Sequence, residues 1–154
     1  MGSALLSQWV EGPEAITVVD PAGSEVPDGV TLVTDRAAIA DQRFDLVIAA
    51  VKPQLIDDIL ADYTDHLAPG GYVLSIAAGC KIALFEHHLG AVPVVRSMPN
   101  TPAAIGLGMT VACANPKTSE GQKARCQGLL EAVGEVAWVS DEALMDAVTA
   151  VSGS

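Results

Sequence analysis

At 154 residues the chain fits one domain, long enough to bury an ordinary hydrophobic core. Half of its residues are hydrophobic but only 4% are aromatic, so the core must be built from Ala, Val, Leu and Ile, as in helices layered on a parallel sheet. A formal net charge of −11 and a pI near 4.4 argue against nucleic acid or an anionic membrane as a partner.

The predicted elements begin with a helix over Met1 to Val10, where Met1, Ala4, Leu5, Trp9 and Val10 fall at helical spacing before Glu11-Gly12-Pro13. Ala15 to Val19 is a β-rich run closed by the turn cluster Asp20-Pro21-Ala22-Gly23. Val30 to Val33 is a second short strand, and Asp35 is placed to cap a helix running to about Gln42. Asp45-Leu46-Val47-Ile48-Ala49-Ala50-Val51 is a continuous apolar run, the pattern of a strand covered on both faces. Lys52-Pro53-Gln54 breaks it, and a helix follows with Leu55, Ile56, Ile59 and Leu60 inward and Asp57 and Asp58 outward.

Pro69-Gly70-Gly71 reads as a turn before a buried strand from Tyr72 to Ala77. A helix around Ile82 to His88 leads to a strand starting at Val92, and another strand, Met109 to Ala114, lies beyond a glycine-containing loop. Ser119 to Val133 is an amphipathic helix with Ala124, Leu129, Leu130 and Val133 inward; Glu135 to Val139 closes the sheet, and Ser140 caps a last helix that runs out at Val151-Ser152-Gly153-Ser154. Strands alternating with helices imply right-handed crossovers and a mostly parallel sheet. Glu86-His87-His88 is read as a solvated helix end, since adjacent histidines on a helix point in different directions.

In such sheets ligands sit beyond the carboxyl ends of the strands, so the residues after each strand carry the functional argument. Gly2 stands where the last glycine of a G-x-G-x-x-G loop would be, at a helix N-terminus able to offer N–H groups to a pyrophosphate. It could equally be a small residue near a terminus. Asp20 follows at the spacing of a ribose-binding carboxylate, or else simply starts a turn; in the first role it would disfavour a 2′-phosphate and tilt preference towards NAD. Lys52 directly after a buried strand needs solvent or an anion for its ammonium. Ala77-Ala78-Gly79 leaves room for a flat ring against the backbone, or for tight helix packing, and Pro99-Asn100-Thr101-Pro102 makes either a rigid loop at the functional edge of the sheet or an ordinary turn. Cys80, Cys113 and Cys126 are odd in number and lack C-x-x-C spacing, which reads as buried thiols in a reducing compartment. With neither a signal peptide nor a run of about 18 apolar residues, the expected location is cytoplasmic.

The motifs Met1-Gly2-Ser3-Ala4-Leu5-Leu6, Ala50-Val51-Lys52-Pro53-Gln54, Ser75-Ile76-Ala77-Ala78-Gly79, Val95-Arg96-Ser97-Met98-Pro99-Asn100-Thr101-Pro102 and Val151-Ser152-Gly153-Ser154 occur in one order along the chain. In this the sequence resembles the pyrroline-5-carboxylate reductases. The resemblance implies an α/β, Rossmann-like three-layer domain with a mostly parallel sheet, and an NADP- or NAD-dependent reduction of the C=N bond of 1-pyrroline-5-carboxylate to L-proline. Position by position it implies Met1 and Gly2 by the pyrophosphate, Asp20 by the adenosine ribose, Ala50, Val51, Lys52, Pro53 and Ala78 on the nicotinamide side, and Met98, Pro99 and Asn100 bordering the same pocket. It assigns no catalytic side chain and no metal.

Residues 1–147 are then the nucleotide-binding domain and 148–154 the lead into a C-terminal helical domain through which subunits form a homo-oligomer. Family members also start with a strand and a Gly-x-Gly segment before the position of Met1, so the first strand is expected to be missing and the chain to be incomplete at both ends. The strand ending at Asp20 and the one ending at Val51 would then face a gap about 10 Å wide, lined by unpaired backbone groups. Competing readings are another dehydrogenase of the same fold, of 3-hydroxyacid or prephenate type, and a non-catalytic nucleotide-binding module.

Overall fold

The computed structural model describes residues 1–152, and side chains as far as residue 148. Its elements are α1 (Gly2–Trp9), β1 (Thr17–Val19), β2 (Thr31–Val33), β3 (Phe44–Ala49), α2 (Pro53–Leu60), β4 (Leu67–Ser75), α3 (Ile82–Leu89), β5 (Val94–Pro99), β6 (Gly108–Ala114), α4 (Glu120–Glu131), β7 (Gly134–Trp138) and α5 (Ala143–Ser152), with short 3-10 turns at Arg36–Ile39, Ala61–His66 and Thr101–Ile105. The strands form two sheets: β1 pairs with β2, and β3-β4-β5-β6-β7 form a second sheet in that order.

Every pairing is parallel except β5 with β6. The exception follows from the connection. A parallel return needs a crossover of a dozen or more residues, whereas β5 and β6 are joined by the turn Thr101–Ile105 and by Gly106 at φ +73. The strands β3, β4 and β5 are instead linked through α2 and α3, and β6 returns to β7 through α4.

Alternation along the buried strands separates two faces. Val73, Val94 and Cys113 point to the side of α2, α3 and α5, where Ile56, Leu60, Phe85, Leu89 and Met145 pack. Leu74, Val95 and Ala112 point to the side of α4, against Cys126 and Leu130. Helix α1 lies on this second side with Leu5 and Trp9 buried beside Ile76, Ala103 and Val133, and the Trp9 indole N–H donates to the Leu129 carbonyl at 2.7 Å. Fully burying each large aliphatic side chain is worth roughly 1.5–3 kcal/mol, which accounts for a three-layer stack on so few aromatics.

Local chemistry sets the helix ends. Ser119 and Gln122 form a reciprocal capping box on α4, each satisfying an N–H that has no partner in the first turn. Several boundaries differ from the sequence reading. Asp35 caps through Ala37 N–H, but the segment is a 3-10 turn ending at Ile39. Pro69, Gly70 and Gly71 lie within β4, where the ladder with β3 shifts register. Leu55 is 49% exposed and Ala124 is exposed, because α2 and α4 turn Ile56 and Leu60, and Cys126 and Leu130, to the sheet. Helix α5 starts after Asp141, whose carboxylate accepts from Ala143 N–H at 2.9 Å, not after Ser140. His88 is half-buried and sits 2.6 Å from Asp57, so the end of α3 is pinned to α2 instead of merely solvated. The last two residues of Val151-Ser152-Gly153-Ser154 lie outside the described residues. No helix among the described residues is long and apolar enough to cross a membrane.

The strand ending at Asp20 and the strand ending near Val51 share no ladder. Between them opens a cavity of about 150 Å3 lined by Thr17 and Val19 of β1, by Phe44 and Leu46 to Ala49 of β3, and by Ile56, Leu60 and Val73 beneath.

Candidate functional site

Register places the candidate residues. Ala49 pairs with Ser75, and Ser75 with Arg96, so these three lie in one row across β3, β4 and β5. The strands are parallel and leave the sheet at the same edge. Lys52, Ala78 and Pro99 each come three residues after that row, which makes the sequence-predicted residues neighbours at one edge although they are far apart in the chain. Ala49 and Ala77 belong to one buried cluster, with Val51 and Met98 packed against it.

Helix α1 enters the same edge. A Cβ on Gly2 would lie 3.3 Å from the Ala50 Cβ and 3.7 Å from its carbonyl oxygen, so the absence of a side chain is what lets the start of α1 approach the end of β3. Met1 is the N-cap and makes no side-chain cap bond; its carbonyl accepts from Ala4 and Leu5 N–H. The first amides of the helix are left without intrahelical partners, as at any helix start.

Lys52 takes an extended backbone (φ −60, ψ 138) before Pro53 at the first position of α2. Its side chain is exposed, and it has no ion-pair partner among the described residues, where eight other pairs form. A cation at a strand end with no internal carboxylate is open to an external anion. Ala78 is half-buried and Gly79 exposed at φ +74, so little side-chain bulk covers this stretch of backbone.

Asn100 spends its amide oxygen on Met109 N–H at 2.8 Å. That bond closes the loop between β5 and β6 and leaves its NH2 without a partner among the described residues. Pro99 is buried, and Met98 is half-buried. Asp20 lies at the tip of β1 and is turned into its own loop, accepting from Ala22 N–H at 2.9 Å and Ser24 N–H at 3.3 Å. Hydrogen bonding from the Ser24 side chain, then from Ala22 N–H, holds its carboxyl below the ordinary aspartate range, so the group is an anion at neutral pH.

Polar groups that the sequence reading did not single out support this edge from below. Ser97 Oγ donates to the Ser75 carbonyl at 2.9 Å and Ser75 Oγ accepts from Ala77 N–H at 3.2 Å, both buried. Arg96, 2% exposed, reaches Glu142 at 3.0 Å and Asp146 at 3.1 Å, and the same Glu142 oxygen accepts from Ile82 N–H at 2.8 Å. One guanidinium thereby ties β5 to α5 and, through Glu142, to the start of α3. The signal was present: an arginine in an apolar strand, and two acids four residues apart on one helical face.

No protein-family model matches the chain. It is 45% identical over 122 residues to the pyrroline-5-carboxylate reductase of Pseudomonas aeruginosa, an alignment covering 79% of this chain and 44% of that protein. It is 37% identical to the enzyme of the same name from Corynebacterium melassecola, over 100% of this chain and 61% of that protein. Among solved structures, the Plasmodium falciparum pyrroline carboxylate reductase with NADP bound superposes with a TM-score of 0.83 at 26% identity, covering 99% of this chain and 58% of that one. A prephenate dehydrogenase from Aquifex aeolicus, at 18% identity and a TM-score of 0.77, shares the fold. The chain spans about half the length of the curated relatives it matches, 44% and 61% in the two cases above.

Proposed function

We propose, from the premise that this chain belongs to the pyrroline-5-carboxylate reductase family, that it is the nucleotide-binding part of an enzyme reducing the C=N bond of 1-pyrroline-5-carboxylate to L-proline with NADPH or NADH. The observation that carries the reading is the shared edge. Lys52, Ala78 and Pro99 each stand three residues beyond one row of the sheet, and the start of α1 is packed on Ala50.

The residues present suit such a cofactor. The amides at the start of α1, around Met1 and Gly2, offer donors to a pyrophosphate. Asp20 is the group for the adenosine ribose. Ala50, Val51, Lys52 and Pro53 form one wall for the nicotinamide, with the Lys52 ammonium supplying positive charge to a dinucleotide otherwise facing an acidic protein. Ala78 and the bare backbone beside it accept the ring, and Met98, Pro99 and Asn100 border it opposite, with the Asn100 NH2 free to donate. When bound, the reduced nicotinamide supplies the hydride; the task of these residues is to fix its orientation and keep water off one face.

Contacts to the substrate carboxylate are assigned to the part of the relatives that this chain does not span. Residues 1–147 are accordingly the cofactor domain and 148–154 the lead into the region through which subunits associate. Three buried free thiols, Cys80, Cys113 and Cys126, support a reducing, cytoplasmic setting.

Titration with NADH and NADPH, followed by nicotinamide fluorescence, tests the reading. Saturable binding is expected, weakened about tenfold by Lys52→Ala, a loss of ~1.4 kcal/mol, and unchanged by Glu135→Gln at the far edge of the sheet. Absence of binding to either nucleotide, or equal binding by Lys52→Ala, overturns it.

A further inference from the structure

The turn that carries Ala78 is weakly held from within. It spans residues 77–80 between β4 and α3, with Gly79 at φ +74, and its own bond, Cys80 N–H to the Ala77 carbonyl, is long at 3.4 Å. A Cβ on Gly79 would meet no atom within 4 Å, so packing does little to fix that residue. The turn is set at its two ends instead. On the β4 side, Ala77 N–H donates to Ser75 Oγ at 3.2 Å. On the other, Ile82 N–H, the first amide of α3, donates to Glu142 Oε1 at 2.8 Å.

The second anchor comes from far away in the chain. A helix start needs acceptors for its first amides, ordinarily from the residue just before it. Here that residue is Lys81, whose ammonium cannot accept a bond and makes no cap. Glu142, 60 residues further on, supplies the carboxylate, where negative charge also suits the helix dipole. It is not free to leave. The same Oε1 accepts from Arg96 Nη1 at 3.0 Å, while Arg96 Nη2 is taken by Asp146 at 3.1 Å. Arg96 is 2% exposed, and withdrawing Glu142 would strip a buried cation of one partner, which is costly. Thus β5 holds Glu142, and Glu142 holds the start of α3. Asp146 differs: it bonds Arg96 and lies 3.9 Å from exposed Lys81, whereas Glu142 also fixes a backbone amide.

Resting on the nucleotide reading above, we infer that Glu142 is a positioning residue for the nicotinamide half of the cofactor: clamped by Arg96, it anchors the turn that brings Ala78 to the ring. Glu142 itself touches no part of the nucleotide. Asp20, the group for the adenosine ribose, lies at the tip of β1 in the other sheet. Loosening the turn therefore lowers the fraction of molecules ready to accept the ring and leaves the ADP half of the site as it was.

The test compares two ligands on the same chain. NADH is titrated by fluorescence, and ADP-ribose, which lacks the nicotinamide, by calorimetry; circular dichroism checks that each variant is folded. Glu142→Ala is expected to raise the Kd for NADH about fivefold, to leave that for ADP-ribose within about twofold, and to speed amide exchange at Ile82 about tenfold. Ile82→Pro removes the donor while keeping both Arg96 ion pairs, and proline is tolerated at the first helical position. The same selective loss is expected there, and this variant decides the matter if Glu142→Ala does not fold. Glu142→Gln keeps an oxygen for Ile82 N–H and should remain within about twofold of the unaltered chain for both ligands. Asp146→Ala removes a carboxylate from the same guanidinium but not the anchor, so it should lower the urea midpoint without separating the two ligands. Equal losses for NADH and ADP-ribose, an unchanged NADH affinity in both Glu142→Ala and Ile82→Pro, or a selective loss in Asp146→Ala overturns the inference alone. If the unaltered chain binds no NADH, the nucleotide reading fails and the inference with it.

Discussion

The two sheets are built from similar residues and differ in what covers them. In the five-stranded sheet, Val73, Leu74, Val94 and Val95 are wholly buried, with helices on both faces and strand partners on both sides. In the two-stranded sheet, Thr17, Val18 and Val19 are no less suited to strands, yet all remain half-buried with one edge unpaired. Strand propensity is therefore the smaller part of strand stability; pairing on both sides and packing on both faces supply the rest. The fold carries a firm half, around β4 and β5, and a weakly held half, around β1 and β2.

Substitutions can break that contrast. Arg96→Ala, which strips Glu142 and Asp146 of their buried partner, is expected to cost about 3 kcal/mol, read as a lowered urea midpoint. Leu74→Ala should cost about 3 kcal/mol, whereas Val18→Ala should cost less than about 1 kcal/mol, because little packing is lost there. Equal penalties at Leu74 and Val18 would show the two halves to be equally secured.

Alkaline pH sharpens the comparison further. Burial pushes the Cys126 thiol up to about 12 from an ordinary 9.0. The unfolded chain therefore loses this proton first, and the resulting stability, full below pH 9, should drain away as pH rises towards 12. Urea midpoints measured across that window should fall, and fall less in Cys126→Val. The smallest effect concerns Asp20 of the exposed half. Its carboxylate is an anion at neutral pH, so Asp20→Asn should raise NADPH affinity relative to NADH by about threefold, with only a slight fall in the urea midpoint from the weakened bonds to Ala22 and Ser24.

Much of this was legible from residue order. Alternation of apolar runs with helical spacing marked the strands and main helices, and the motifs after each strand marked an edge that the register brings together. Less legible were features that depend on partners distant in the chain. Leu55 and Leu129 each precede a second apolar residue on a helix, but only packing decides that the first faces water and the second lies against the cluster of Leu5 and Trp9. Pro69-Gly70-Gly71 has turn chemistry and keeps it locally, with Gly70 at φ +78, but β4 takes up the ladder with β3 on either side of it, at Leu67 and again from Tyr72. The Arg96 network needed the fold, since its acids lie 46 and 50 residues away.

The burial of Cys80, Cys113 and Cys126 has a practical corollary for spectroscopy. Burial raises the pKa of all three thiols and shields them from aqueous electrophiles, so the native chain is expected to react only slowly with maleimide dyes at neutral pH. A single cysteine installed at exposed Gln54 would take the label first, and would report on occupancy beside Lys52 with little background to subtract.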